Sequence, residues 1–298
     1  MPAPGRIRIG ISGWRYAPWR GRFYPKGLRQ TDELAYAGSK FPTVEINGTF
    51  YSLQSPESFR RWAAETPADF VFAVKGPRFI THMLKLSRPE QPLANFFANG
   101  ILELGPKLGP ILWQFPPNFR FSAERLEAFF HCLPRDTRAA ADLARHHDHR
   151  VKGRTALEID RKRPIRYAIE IRHDSFRTAD FIALLRKHRI ALVCADTVDW
   201  PLLMDLTADF IYCRLHGSEV LYSSGYGDAA LRRWAARITA WAKGGEPKNS
   251  DRVIARPVPK TVPGSKGRDV YVYFDNDAKV RAPFDAERLA RLLQSKPR

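Results

Sequence analysis

The chain of 298 residues contains few cysteines and no long apolar run. Its three cysteines, Cys132, Cys194 and Cys213, are far apart and lack CxxC spacing, which argues against a disulfide framework or a thiolate metal site. No stretch approaches the roughly 20 apolar residues that span a bilayer. The first residues, "MPAPGRIRIG", include no apolar signal segment. We therefore expect buried thiols, no membrane partner and a cytoplasmic location.

Acidic residues are also scarce relative to basic ones. Asp and Glu number 31 against 49 Lys and Arg, and the formal net charge is +18. Such an excess suits polyanionic partners such as nucleic acid, phosphorylated metabolites or an anionic surface. The alternative is a solvated basic exterior in an arginine-rich protein. Charge alone does not decide between them.

Eight short apolar segments alternate with helix-like segments along the chain. The helix-like segments include "SPESFRRWAAET", "SAERLEAFFHCL", "TADFIALLRKHR" and "DAALRRWAARITAWA". Strand–helix alternation repeated eight times predicts a parallel sheet closed into a (β/α)8 TIM barrel, with long loops over its C-terminal rim. The predicted strands are 7–12, 43–47, 70–75, 111–115, 167–172, 191–196, 210–216 and 270–275.

The alternation of side chains within each strand predicts which residues point into the barrel. In "YAIEIR", Tyr167, Ile169 and Ile171 share the face that would pack on helices, whereas Glu170 and Arg172 share the other face. Every predicted strand ends on its inner side in a polar group. Since barrel active sites lie at this end, we expect a functional cavity. The alternative is a network that only neutralises itself. The inner polar residues are Ser12, Glu45, Asn47, Lys75, Gln114, Glu170, Arg172, Asp196, Arg214, His216 and Asp275.

The motifs at these strands resemble those of one known family. "GISGWRYAPWRGRFYP", "VEINGTFYSLQS", "FVFAVKGPRFITH", "LGPILWQFPPNF", "YAIEIRHDSF", "ADFIYCRLHG" and "VYVYFDND" together resemble the DUF72 family of YecE-like proteins, from about Arg6 to Leu293. The resemblance implies a TIM barrel and leaves the reaction open. It also implies that the family's marker positions are Trp14, Glu45, Asn47, Lys75, Gln114, Glu170, Arg172, Asp196, Arg214, His216, Asp275 and Asn276.

Two kinds of chemistry fit this set of residues. A divalent metal could take Glu45, Glu170, Asp196, His216 and Asp275 as ligands, as in sugar-isomerase and endonuclease barrels. Those sites usually carry several histidines, and Lys75 and Arg214 would repel a cation. We therefore predict no cofactor or metal ligand and keep a divalent metal as the alternative.

Acid–base chemistry without a metal is the preferred interpretation. Glu170 would accept a proton and His216 would donate one, with Asp196 and Asp275 as further catalytic candidates. Lys75 would form an ion pair or, as the alternative, a Schiff base. The predicted substrate is a small anionic or phosphorylated compound, a sugar phosphate or nucleotide, handled by a hydrolase, lyase or isomerase. The predicted substrate-binding residues are Arg172, Arg214, Glu45, Asn47, Gln114, Asn276, Trp14 and Tyr51.

Two loops add alternatives at the same rim. The Gly- and Ser-rich segment 216–228 suits either a phosphate site or a flexible lid. The segment 13–27 interleaves aromatic side chains with arginines, which suits nucleic-acid binding. Its alternative is a loop that packs on itself, and we favour that alternative.

Two basic inserts, near 135–166 and 243–269, complete the chain. The first contains "HHDH", but consecutive histidines rarely converge on one ion, so a solvated loop is preferred and a polyanion patch comes second. Neither insert resembles an independent fold, and we predict a single domain over 1–298. The rival function is a nucleic-acid-associated protein that binds or cleaves phosphodiesters through its basic surface and aromatic loop.

Overall fold

The eight predicted strands are all present. The structure is a computed structural model that describes residues 3–151, 153–217, 221–222, 224–254 and 267–294. The observed ends agree with the predicted ends to within three residues. The strands are β1 Ile7–Ser12, β2 Thr43–Ile46, β3 Val71–Lys75, β4 Leu108–Gln114, β5 Tyr167–Glu170, β6 Ala191–Asp196, β7 Phe210–Leu215 and β8 Asp269–Phe274.

Some of the helices begin at a residue whose side chain caps the first turn. Four side chains accept a hydrogen bond from a backbone N–H in the first turn of a helix; they are those of Ser55, Ser122, Asp136 and Thr178. The four predicted helical segments are confirmed as α3, α5, α7 and α8. The α-helices are α1 Glu33–Lys40, α2 Gly48–Tyr51, α3 Pro56–Ala64, α4 Glu90–Ala98, α5 Ala123–Cys132, α6 Thr137–Ala144, α7 Ala179–His188, α8 Asp228–Ala242 and α9 Ala282–Gln294.

The strands form a closed parallel barrel in the order β1 to β8, with β8 beside β1. The predicted (β/α)8 TIM barrel is therefore confirmed. The pairing of β1 with β8 places Ile7 opposite Val270 and Gly10 opposite Tyr273. A Cβ atom on Gly10 would lie 2.0 Å from the backbone oxygen of Thr43, so only glycine fits at this position.

The chain groups into two compact units, Met1–Val44 with Arg177–Arg298, and Glu45–Phe176. In the first unit, the hydroxyls of Thr43 and Tyr273 are 2.8 Å apart and fully buried. In the second unit, the indole of Trp113 on β4 packs edge-on against Phe129 of α5, with ring centroids 5.2 Å apart. The aromatic residues predicted for the outer strand faces thus pack on helices.

Strand β6 departs from the prediction. Cys194 pairs in register with Cys213 and Ala195 with Arg214, so Cys194 and Cys213 share one face of the sheet and Ala195 shares the face of Arg214. The alternation that predicts Asp196 inward also predicts Cys194 inward, and the alternation that predicts Arg214 inward predicts Cys213 outward. The register contradicts the prediction for β6. Both thiols are buried as expected, and burial raises the pKa of Cys213. The third cysteine, Cys132, is only partly buried, which contradicts the expectation for it.

Candidate active site

The strand ends of the first unit hold a buried arginine–carboxylate pair. Arg214, near the end of β7, donates from Nη2 to Asp275 Oδ2 at 2.8 Å and to Ser12 Oγ at 3.1 Å. The Arg214 side chain is 1% exposed and that of Asp275 is 12% exposed. Strand pairing positions these residues, since Arg214 and Tyr273 are opposite each other and Asp275 follows two residues later. Three predicted site positions are thereby brought together.

His216 completes this group. Its Nδ1 atom lies 3.0 Å from Asp275 Oδ2, so the carboxylate can orient the imidazole ring. The rings of Trp200 and Tyr222 pack edge-on against the imidazole, with centroids 5.6 and 5.4 Å away. The imidazole is fully buried, with a carboxylate within ion-pair distance and two aromatic rings against it. That arrangement is typical of residues that transfer protons.

Asp277 is a titratable neighbour that the sequence analysis missed. Burial, followed by the negative charge of Asp275, raises the pKa of Asp277 to about 6. The side chain of Tyr16 and the positive charge of Arg214 oppose this shift. The sequence signal was a second acidic residue two positions after Asp275. The group therefore contains two different carboxyl groups. Asp275 forms an ion pair with Arg214, and Asp277 has a pKa of about 6.

The strand ends of the second unit hold a second buried pair. Glu170, the last residue of β5, is 0% exposed, and its Oε1 accepts from Arg172 Nε at 2.8 Å. Gln114 at the end of β4 is opposite Glu170 in register. Arg172 remains 11% exposed, so its guanidinium reaches solvent while it neutralises the carboxylate. This is the arrangement that the alternation within "YAIEIR" predicted.

Lys75 lies in the same unit at the end of β3. Its ammonium nitrogen is 4.2 Å from the centroid of the Phe50 ring, which is a cation–π contact with a buried cation. The hydroxyl of Thr49 donates to the backbone oxygen of Lys75 at 2.7 Å and fixes the strand end against α2. The negative face of the ring attracts the ammonium group, which partly offsets the loss of water around it.

His82, near Lys75 in the same unit, is a titratable residue that strand alternation did not predict. Burial, and then the positive charges of Lys75 and Arg172, lower the pKa of His82 to about 4. Its Nδ1 lies 2.8 Å from Thr81 Oγ1, and its ring is 5.0 Å from that of Phe50. His82 belongs to a π-helical turn, Phe79–Met83, and such turns are frequent at functional sites. At neutral pH this imidazole is uncharged.

Asp196 does not join either group. Its Oδ2 accepts from the indole nitrogen of Trp234 on α8 at 2.7 Å, and it pairs in register with Leu215. The carboxylate therefore faces the helix layer, and its predicted position inside the barrel is wrong. The error follows from β6 itself, in which both faces are apolar up to the final Asp196.

Other predicted site residues have defined positions. Glu45 on β2 is 0% exposed, and Asn47 follows β2 at the start of α2. Asn276 donates to Asp285 Oδ2 of α9 at 3.0 Å and to the backbone oxygen of Ser224, so its amide nitrogen anchors the end of β8 to a helix. Tyr51 lies apart from the buried groups, with 70% of its surface exposed.

The aromatic loop 13–27 packs on itself, as the favoured alternative predicted. Trp14, Trp19, Phe23 and Tyr24 are all buried, and the Phe23 and Tyr24 ring centroids are 4.9 Å apart. The Tyr24 hydroxyl donates to the backbone oxygen of Trp14. These four buried rings are not exposed for stacking on bases, whereas Tyr16 of the same loop is half-buried.

Two residues of "HHDH", His147 and Asp148, make local contacts. Asp148 Oδ1 accepts from Asn95 and from the backbone N–H of Arg150, and His147 Nδ1 contacts the backbone oxygen of Asp148. A separate pair of metal-ligand type lies on α5, where His131 Nε2 is 3.2 Å from Glu127 Oε1.

Parts of the predicted loops lie outside the described residues. In the segment 216–228 these are residues 218–220 and 223, and in the insert 243–269 they are residues 255–266. The described backbone N–H of Gly217 donates to the hydroxyl of Tyr226 at 3.2 Å, so this amide already has a partner. Lys152 of the first insert also lies outside the described residues.

Comparison with known proteins agrees with the barrel and its motifs. The family model described as "Protein of unknown function DUF72" matches residues 8–298. The chain belongs to the DUF72 family. The solved DUF72 protein TM1631 of Thermotoga maritima superposes with a TM-score of 0.71 and 24% identity, over 97% of this chain and 100% of that one. At this identity the similarity shows the fold alone.

Two curated relatives match a shorter part of this DUF72 chain. UPF0759 protein YunF of Bacillus subtilis is 30% identical over 125 residues, 40% of this chain and 43% of that protein. UPF0759 protein YecE of Escherichia coli K12 is 31% identical over 127 residues, 43% of each protein. The chain thus spans less than half the length of the curated relatives it matches. Among the described residues, no helix has the length and apolar character needed to cross a bilayer.

Proposed function

We propose that this DUF72 protein is an enzyme that acts on a small anionic or phosphorylated compound by acid–base chemistry at its strand ends. One observation carries the proposal. Each unit holds a buried carboxylate–arginine pair at a strand end. In one unit a histidine contacts the carboxylate, and in the other the charges of the pair influence the pKa of a histidine. The pairs are Asp275–Arg214, with His216, and Glu170–Arg172, with His82.

Buried ion pairs of this kind are poorly explained by stability. Removing two charges from water costs several kcal/mol per ion, and apolar replacements of similar volume are often as stable or more stable. Strand ends in a TIM barrel are also the positions where catalytic residues occur. Two such pairs at these positions therefore favour a function over a role in packing.

Each group has roles suited to its exposure. In the first unit, His216 is the proton donor and Asp275 orients it, while the fully buried Arg214 holds Asp275 in place. In the second unit, Glu170 is the proton acceptor. Arg172, which is 11% exposed, and Lys75, on the Phe50 ring, supply positive charge for the anion. Lys75 can form a Schiff base only after it loses its proton, so the ion-pairing role is preferred.

Thermal unfolding with candidate ligands tests the proposal. Phosphosugars and nucleotides are added to the wild type, to Glu170→Gln and to a control, Glu158→Gln, whose carboxylate is 85% exposed. A ligand at 100 times its Kd stabilises a protein by about 2.7 kcal/mol. We expect one phosphorylated class to raise the midpoint of the wild type and the control but not that of Glu170→Gln.

The opposite result identifies a structural role. If no phosphorylated compound changes any midpoint and Glu170→Gln alone is several kcal/mol less stable, the pair is part of the scaffold. The same experiment with His216→Gln tests the first unit separately. A response that survives both substitutions contradicts the proposed site.

Nucleic-acid binding is a second candidate, favoured by the exposed basic residues of the first insert. Arg138, Arg154 and Arg161 are exposed there, whereas Arg145 forms an ion pair with Glu158. Binding through such a surface weakens steeply as salt rises. A steep salt dependence that persists in Glu170→Gln, and is lost when the three exposed arginines are replaced by glutamine, would support this candidate.

A further inference from the structure

An exposed apolar groove lies in the second unit, between α2, α4 and the segment that follows β3. Its volume is about 540 Å³, within the range of small-molecule pockets. Tyr51, Phe79 and Met83 line it and are 70%, 39% and 64% exposed. Within the described ranges only two other large apolar side chains, Val198 and Phe284, are comparably exposed. Three apolar side chains exposed around one concavity indicate a binding surface.

The polar groups of the groove restrict what it can bind. The Nδ2 atom of Asn95 donates to Asp148 Oδ1 at 3.1 Å, and its Oδ1 atom accepts from the backbone N–H of Asp148 at 2.9 Å. Arg150 forms an ion pair with the same Asp148. Arg78 is exposed at the groove and has no ion-pair partner among the described residues. The groove therefore offers an apolar surface and one available positive charge, which fits a flat apolar ring that carries an anionic group.

Phe50 connects the groove with the proposed catalytic residues of the same unit. It lines the groove, and the Lys75 ammonium lies 4.2 Å from its ring centroid. His82 and Tyr51 both pack edge-on against it, with centroids 5.0 Å away. A ring bound in the groove is thus separated from Lys75 and His82 by one aromatic side chain.

The backbone of this segment is strained. After the π-helical turn, Lys85, Leu86 and Arg88 adopt φ angles of 48°, 67° and 47°, in the left-handed region that favours glycine. Strained non-glycine residues of this kind cluster at ligand-binding sites. Here the strain accompanies the turn that leaves Phe79 and Met83 exposed at the groove.

We propose that the groove is the subsite for the ring of an aromatic anion, so that the substrate class is a nucleoside monophosphate rather than a sugar phosphate. This inference rests on the proposed function, in which this unit acts on a small anion: Arg78, the available positive charge at the groove, would hold the phosphate, and Phe50 connects the groove with Lys75. Tyr51, Phe79 and Met83 would contact the base, and stacking on aromatic side chains is tolerant of base identity. The cavity size suits one such nucleotide.

Calorimetric titration with AMP, ribose 5-phosphate and adenosine tests the inference. The variants are Phe79→Ala and Met83→Ala, and the control is Phe284→Ala, whose side chain is 42% exposed outside the groove. We expect AMP to bind at least tenfold more tightly than ribose 5-phosphate. The two groove variants should each weaken AMP binding about fivefold to thirtyfold. Their affinity for ribose 5-phosphate, and the AMP affinity of the control, should not change.

The two proposals fail in different ways. Equal affinity for AMP and ribose 5-phosphate, with no effect of Phe79→Ala, overturns the groove assignment and leaves the proposed function standing. Adenosine binding that depends on Phe79, without a gain from the phosphate, supports the ring subsite and overturns the anion-binding function. Absence of binding by all three compounds overturns both.

A second copy of the chain is the competing occupant. Sedimentation of the wild type over a concentration series detects it. Self-association that is lost in Phe79→Ala, in a protein that does not bind AMP, assigns the groove to a dimer interface and overturns the subsite.

Discussion

Asp277 gives the sharpest quantitative prediction. Its pKa is raised from 3.8 to about 6, because the carboxylate is largely buried and lies near the charge of Asp275. A shift of this size corresponds to about 3 kcal/mol against the ionised form in the folded state, which solvent screening of this partly exposed group reduces to about 1–2 kcal/mol. Asp277→Asn removes that cost. We therefore expect the variant to be about 1–2 kcal/mol more stable at pH 7.5.

The advantage should depend on pH with a defined sign. Between pH 4 and 6 the folded state holds a proton on Asp277 that the unfolded state has lost, so the wild type loses stability as pH rises through this window. Below pH 4 the carboxyl is neutral in both states, and Asn and Asp become nearly equivalent. The difference between the two proteins should therefore grow from near zero at pH 4 to its full value at pH 7.5.

Urea unfolding at pH 4, 5, 6 and 7.5 measures this difference. Asp69→Asn is the control, because Asp69 is exposed and its substitution should change stability by less than about 0.5 kcal/mol. A variant that is destabilised equally at all four pH values would refute the reasoning. It would mean that contacts of the Asp277 side chain, and not its charge, dominate.

Three further predictions concern other positions. The wild type should lose about 1–2 kcal/mol of stability as pH falls from 6.5 to 4, because the folded state resists protonation of His82, whose pKa is about 4. His82→Gln should lack this loss. Urea unfolding in which the variant and the wild type lose the same stability over this pH range contradicts the prediction. Gly10→Ala should lower stability by about 2–3 kcal/mol or prevent folding, because its Cβ would overlap Thr43, and a near-native thermal midpoint would disprove the close approach. Trp234→Phe should cost about 1–3 kcal/mol by removing one of the hydrogen-bond donors to the buried side of Asp196, whereas the double variant with Asp196→Asn should recover part of the loss.

Most of the fold could be predicted from the sequence because each strand is short, apolar and bounded by turn residues. The inner positions of β5 and β7 could also be predicted, since Glu170 and Arg214 interrupt otherwise apolar alternation. A charged residue that alternates with outward apolar side chains at the end of a TIM-barrel strand lies at the inner rim. The two buried ion pairs follow from that rule.

The remaining features depend on information that local sequence patterns lack. In "ALVCAD" both faces are apolar, so only the pairing of β6 with β7 shows that Asp196 faces α8. His82 lies seven residues beyond the end of β3, and a π-helical turn returns it to the Lys75 region. The groove beside Phe50 depends on the same turn. Residues that reach the site through loop conformation are therefore the ones that strand alternation cannot identify.

The pairing of β1 with β8 has a consequence for biosynthesis. Arg6 and Asp269 are joined by a hydrogen bond across 263 positions of sequence, and Ile7 is opposite Val270. While the chain is being translated, the edge of β1 that pairs with β8 therefore stays unpaired until β8 leaves the ribosome. An open strand edge is prone to pair with other chains. Slow translation of the final third of the message should therefore prolong the interval in which nascent chains can aggregate.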